Sequence, residues 1–88
     1  MDRGADIQRL RDLATSFGEK ATTLRTEIIE ALSTASEDSE SYWKGPDSDR
    51  FRQEFRDAKP TFTSFADALD DAKTGANNSA DRIEQATS

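Results

Sequence analysis

The stretch SESYWKGPDSDRF, residues 39–51, decides how the chain folds. It holds the only Trp, the only Tyr and one of the two Pro residues of an acidic, Ala-rich chain. Gly45 supplies backbone freedom. Pro46 ends helical propagation and biases the residue before it towards an extended or turn conformation. Asp47 or Ser48 is placed to cap a following helix, its side-chain oxygen accepting from a free N–H of the first turn. Asp49 suits the positive end of that helix's dipole. Tyr42 and Trp43 offer large surfaces to plug the open end of a hairpin. A turn accounts for the Gly, Pro and Asp residues, but less well for the Trp.

On both sides of this turn the apolar residues recur in steps of three and four. Before it they run Ile7, Leu10, Ala14, Phe17, Ala21, Leu24, Ile28, Ala31, Ala35 and Tyr42, broken only at Asp38. After it they run Phe51, Phe55, Ala58, Phe62, Phe65, Leu69, Ala72, Ala76, Ile83 and Ala86, broken only at Ser79. Each series is a helix with one narrow apolar seam. The spacing predicts a single helical-hairpin domain over residues 1–88, with helices at about 6–41 and 48–84, a turn at about 42–47 and a frayed tail. At 1.5 Å per residue each helix is about 50–60 Å long.

Folding back at the turn lets the seams cover each other. The layers pair Ala35 with Phe55, Ile28 with Phe62, Leu24 with Phe65, Ala21 with Leu69, Phe17 with Ala72 and Ile7 with Ile83. Several set a large side chain against a small one, as close packing favours. Ala31 with Ala58 and Ala14 with Ala76 are small against small, so the helices approach closely there or a partner fills the gap. Pro60 falls on the outer face, where a kink convex to solvent is expected. TGANNS, residues 74–79, has low helix propensity and is a place to fray. Leu13, Ile29 and Leu32 lie off the seam and are predicted to contribute to contact with a partner.

Composition excludes several functions. Only 33% of residues are hydrophobic and the chain is short, so a second subunit is a natural remedy for a thin core. A formal net charge of −6 with no basic block argues against nucleic-acid binding and against attraction to an anionic membrane. The absence of Cys removes disulfides and thiolate metal sites. The first residues, MDRGADIQRLRDL, have no apolar core of the Sec type, so an exported form is expected to leave by another route. With no His or Cys, and no Ser or Lys beside an activating group, no catalytic residues are identified and an enzyme is not expected. EDSE, residues 37–40, and DSD, residues 47–49, lack the longer loop, Gly and terminal Glu of a calcium-binding hand. They are read as solvated surface or helix capping, with no metal and no cofactor implied.

Trp43-Lys44-Gly45, at the midpoint between two long helices in an acidic Cys-free chain, resembles the signature of the WXG100, or ESAT-6-like, family. WKGPDSDRF is similar to the form common in actinobacterial members. The resemblance covers essentially the whole chain. It implies an all-α fold, an antiparallel two-helix hairpin with a Trp-x-Gly turn that pairs as a homodimer or heterodimer with another WXG100-like chain into a four-helix bundle. It further implies export by type VII (ESX) secretion, driven by a membrane ATPase of the FtsK/SpoIIIE class, with Trp43 and Gly45 in a composite signal. The protein is then secreted, or cytoplasmic before export. One departure bears on this. Many members carry a Tyr-x-x-x-Asp/Glu signal after the second helix, whereas here the only Tyr is Tyr42 and the residue four later is Pro46. A partner or a variant tail then supplies the signal, or the chain is a cytosolic adaptor that pairs with a larger type VII effector.

Overall fold

The structure is a computed structural model and describes residues 3–87. Helix α1 spans Arg3–Thr23, a π-helical segment spans Leu24–Glu30, and α2 spans Ala31–Ser39. After the turn, α3 runs over Pro46–Thr87. Thr23, Glu30 and Ala31 at the joints all keep right-handed helical φ and ψ, so the first three segments form one continuous rod. There is no strand among the described residues. The two rods lie antiparallel in a hairpin of 64 × 16 × 16 Å.

The inner seam is built largely of alanine. Ala14, Ala21, Ala66, Ala76 and Ala80 are buried, and among the described residues Ile29 is the one large apolar side chain that joins them. Small residues let two helices approach closely, at the expense of apolar area covered.

The seam departs from the sequence expectation in two places. Ile28 is 39% exposed, whereas Ile29, expected off the seam, is 7% exposed. The π segment causes this exchange. Its i→i+5 bonds take up an extra residue in the turn, which delays every later side chain by about one position. The face towards α3 therefore continues through Ile29, Ser33, Ser36 and Ser39, while Ala31 and Ala35 are exposed. In α3 the buried positions are Ala66 and Ala80, in place of Phe65 and Ser79. Phe65 is 59% exposed. Both exchanges turn a three–four step into a four–three step and put an alanine where the helices approach.

The second helix is longer and more regular than its composition suggests. It continues through TGANNS to Thr87 with no break, contrary to the expected fraying there and beyond residue 84. Ala76 and Ala80 are anchored in the seam, and the Asn77 side-chain oxygen accepts from Arg11 Nη1 at 3.4 Å. Tertiary burial thus overrides weak local propensity. Pro60 sits inside α3 on its exposed side, where the lost N–H leaves no buried group unpaired.

Two arginine clasps bind α1 and the π segment to α3. Arg11 Nη2 lies 2.7 Å from Asp81 and 2.9 Å from Glu84. Arg25 Nη2 lies 2.8 Å from Asp67 and 2.6 Å from Asp70. The second clasp repeats the first two heptads along both helices, so the pairs report a single antiparallel register. Hydrogen bonds to Asp81 and Glu84 raise the Arg11 pKa, and those to Asp70 and Asp67 raise that of Arg25.

Candidate functional site

The turn is a small, fully specified structure. At its entry Trp43 N–H and Tyr42 N–H both donate to the Ser39 carbonyl, at 2.8 and 3.1 Å, which closes the last turn of α2. Gly45 then adopts φ +114°, a region that L side chains rarely enter. A Cβ built on Gly45 would meet nothing within 4 Å, so glycine is needed there for its conformation and not for space. Pro46 occupies the first position of α3, where its missing N–H costs nothing.

Ser48, expected to cap this helix by accepting from a free N–H, donates backwards instead. Its fully buried hydroxyl donates to the Gly45 carbonyl at 2.8 Å, beside Asp49 N–H at 3.1 Å. Asp47 and Asp49 stay exposed in the first turn, where negative charge suits the dipole. The expected pair of plugging aromatics also resolves differently. Tyr42 is 77% exposed and closes nothing, whereas Trp43 turns onto α3. The Trp43 and Phe51 rings are 5.8 Å apart at 41°, and Phe51 stacks on Phe55 at 6.2 Å and 8°.

Arg52 holds this assembly together and was not picked out from the sequence. Its Nη2 donates at 2.9 Å both to Ser39 Oγ and to the Trp43 carbonyl, and its guanidinium lies 5.9 Å from the centroid of the Trp43 ring. One side chain of α3 therefore grips the end of α2 and the turn at once. The available signal was slight: Arg52 stands one turn beyond Ser48, next to Phe51.

A second feature lies midway along the rod. A groove of about 520 Å³ opens between the helices, lined by Leu24, Ile28, Phe62, Phe65 and Leu69, with Lys20, Thr23 and Thr61 at its margin. Leu24 follows Leu13 by about three helical turns, and Ile28 and Leu32 follow at steps of four, so these residues lie above one another. Leu13 and Leu32, predicted for partner contact, are 45% and 37% exposed on this stripe. Ile29 is inside the hairpin and is removed from that set. The clasps occupy the other flank. Phe65 and Asp67 stand on either side of buried Ala66, and at about 100° per residue they leave α3 in opposite directions. The hairpin is thus apolar on one flank and ionic on the other.

Among the described residues no group of three or more acidic side chains is arranged to hold a metal ion. No described helix is long and apolar enough to cross a membrane.

Comparison with known proteins matches residues 5–88 to the family model described as proteins of 100 residues with WXG. The chain belongs to the WXG100 family. Among relatives, the type VII secretion system extracellular protein A of Staphylococcus aureus (strain USA300) is 26% identical over 78 residues, covering 89% of this chain and 79% of the relative. The same protein of strain Newman aligns with the same identity and coverage. The crystal structure of Geobacillus thermodenitrificans EsxA, crystal form I, superimposes with a TM-score of 0.85 at 26% identity, over 92% of this chain and 87% of that one. In this WXG100 chain the signature tripeptide is Trp43-Lys44-Gly45, the segment clamped by Arg52 and Ser48.

Proposed function

We propose that this chain is a non-enzymatic type VII (ESX) secretion protein that works by pairing with another WXG100-type chain through its apolar flank. The carrying observation is where the large apolar residues lie. The hairpin buries alanines in its seam and leaves Leu13, Ile28, Leu32 and Phe65 between 37% and 59% exposed on one side. A second hairpin laid there makes a four-helix bundle and covers the surface that a lone hairpin leaves wet. Leu13 and Leu32 are assigned to this contact, together with the groove residues around Phe65.

Family membership and the naming of the staphylococcal relatives as type VII secretion extracellular proteins support export by the same route. In this reading Trp43 and Gly45 form part of the signal engaged by the secretion ATPase, and the chain is cytoplasmic until exported. The test is the amount of protein in culture filtrate and in lysate, in the native host with and without its type VII ATPase, with a cytosolic marker for lysis. Signal in the filtrate that vanishes without the ATPase is expected. Retention in the cell under both conditions overturns the export reading and leaves the cytosolic adaptor.

A further inference from the structure

Burial before the turn is out of step with the sequence that supplies it. Ala14 and Ala21 are buried seven residues apart, but the next buried position is Ile29, eight residues on, and half-buried Ser36 follows it by seven. The apolar residues themselves keep a strict seven through Ala14, Ala21, Ile28, Ala35 and Tyr42. The π segment Leu24–Glu30 takes up the one extra residue.

Without that segment, each later residue would take the place that its successor now holds. Ile28, Leu32, Ala35 and Asp38 would replace Ile29, Ser33, Ser36 and Ser39 on the face towards α3. Two serines of the seam would give way to a leucine and an alanine, so an α register buries more apolar surface inside the hairpin. At the end of the rod the Asp38 carboxylate would stand where the Ser39 hydroxyl accepts from Arg52 Nη2 at 2.9 Å. The π register has its own support in the turn: the Arg52–Ser39 bond, the 2.9 Å bond from Arg52 to the Trp43 carbonyl, and the Trp43 ring 5.8 Å from Phe51. Apolar burial along the rod therefore favours one register and the turn contacts favour the other, and both give Arg52 an acceptor.

We propose that residues 24–43 form a two-register element. In the π register Trp43 is held by Arg52 and Phe51. In the α register α2 is rotated by about 100°, Ile28, Leu32 and Ala35 enter the seam, Asp38 pairs with Arg52, and Trp43 is released while Tyr42 comes round to its place. The middle of the rod and the turn thus change together. Ile28 and Leu32 lie on the apolar flank in one register and in the seam in the other, so a chain covering that flank favours the π register and a held Trp43. This coupling, unlike the two registers themselves, rests on the proposed pairing.

The test is ¹⁵N relaxation dispersion of the full chain at two concentrations, with association followed by sedimentation. Exchange on the microsecond-to-millisecond scale is expected at the amides of residues 28–43 and at the Trp43 indole N–H, with one shared rate. A chain lacking Glu27, an exposed residue of the π segment, loses the extra residue and keeps Ile29, Ser36 and Ser39 facing α3, so its exchange is expected to vanish. Ser39→Ala removes an acceptor used only in the π register and is expected to raise the minor population about tenfold. Asp38→Asn, at an exposed position, weakens only the α register, lowers that population about threefold, and serves if Ser39→Ala fails to fold. No exchange, exchange that survives loss of Glu27, or changes of the same sign in Ser39→Ala and Asp38→Asn overturn the proposal. Undiminished exchange in the associated chain overturns the coupling, and a failure to associate overturns self-pairing without touching the two registers.

Discussion

The Arg52 guanidinium both donates to the Trp43 carbonyl at 2.9 Å and lies 5.9 Å from the centroid of the Trp43 ring, so the family's Trp is held through its backbone and its side chain by one residue. Arg52→Ala strips the buried Ser39 Oγ and the more exposed Trp43 carbonyl of their donor. A loss of about 1–3 kcal/mol is expected in urea unfolding, with Trp43 fluorescence shifted to the red. Arg52→Lys recovers only part of it, because a point charge on a flexible stem does not reproduce the planar fork. Wild-type stability in both variants would show that the clamp contributes nothing.

Two glycines give opposite outcomes. Gly45→Ala forces a side chain into φ +114° and is expected to cost about 1–3 kcal/mol, although a Cβ there has open space. Gly75→Ala lies inside α3, also with nothing within 4 Å of the new Cβ, and is expected to stabilise by about 0.5–1 kcal/mol. Thermal unfolding of the pair separates conformational from steric requirements, and a like sign for both would contradict this account.

Adjacent isoleucines test the π segment. Ile29→Ala empties a buried position and is expected to cost about 2–4 kcal/mol of hairpin stability. Ile28→Ala removes a partly exposed side chain and costs far less in the isolated hairpin, while weakening association. If the segment were an ordinary α-helix, burial would fall on Ile28 and the two values would exchange.

The apolar flank is tested by charge. Phe65→Glu, and Leu13→Glu combined with Leu32→Glu, are expected to keep helical circular dichroism when the hairpin is stable alone, and to abolish association in analytical ultracentrifugation. In the event that the hairpin needs its partner to fold, the same variants unfold in a concentration-dependent way that wild type resists. A dimer of unchanged affinity in both would remove this flank from the interface.

The clasps are exposed, so their contribution is small and screened. Arg11→Gln and Arg25→Gln should lower Tm at low salt, with the difference shrinking towards about 1 M salt, where the Debye length is about 3 Å. A difference that persists at high salt would mean that the arginines act by packing.

The hairpin, the turn and the family were legible in the sequence, because each is set by local patterns. A three–four repeat is a helix with a seam, Gly45-Pro46 is a break, and folding back at that break lets two seams of like length cover each other. Tertiary structure decided which side of each seam faces inward. The repeat ran through Phe65 and Ile28, whereas burial falls on Ala66 and Ile29, since neighbouring positions differ by a rotation that only close helix approach and the π segment select. It also decided that TGANNS stays helical, because Ala76 and Ala80 are buried against α1, and that Arg52 holds the turn, because Ser39 and Trp43 reach it only once the chain has folded back. Local spacing specifies a helix and its approximate apolar direction. The final rotation of that helix is a property of the pair, and with it the division into an ionic flank and an apolar one.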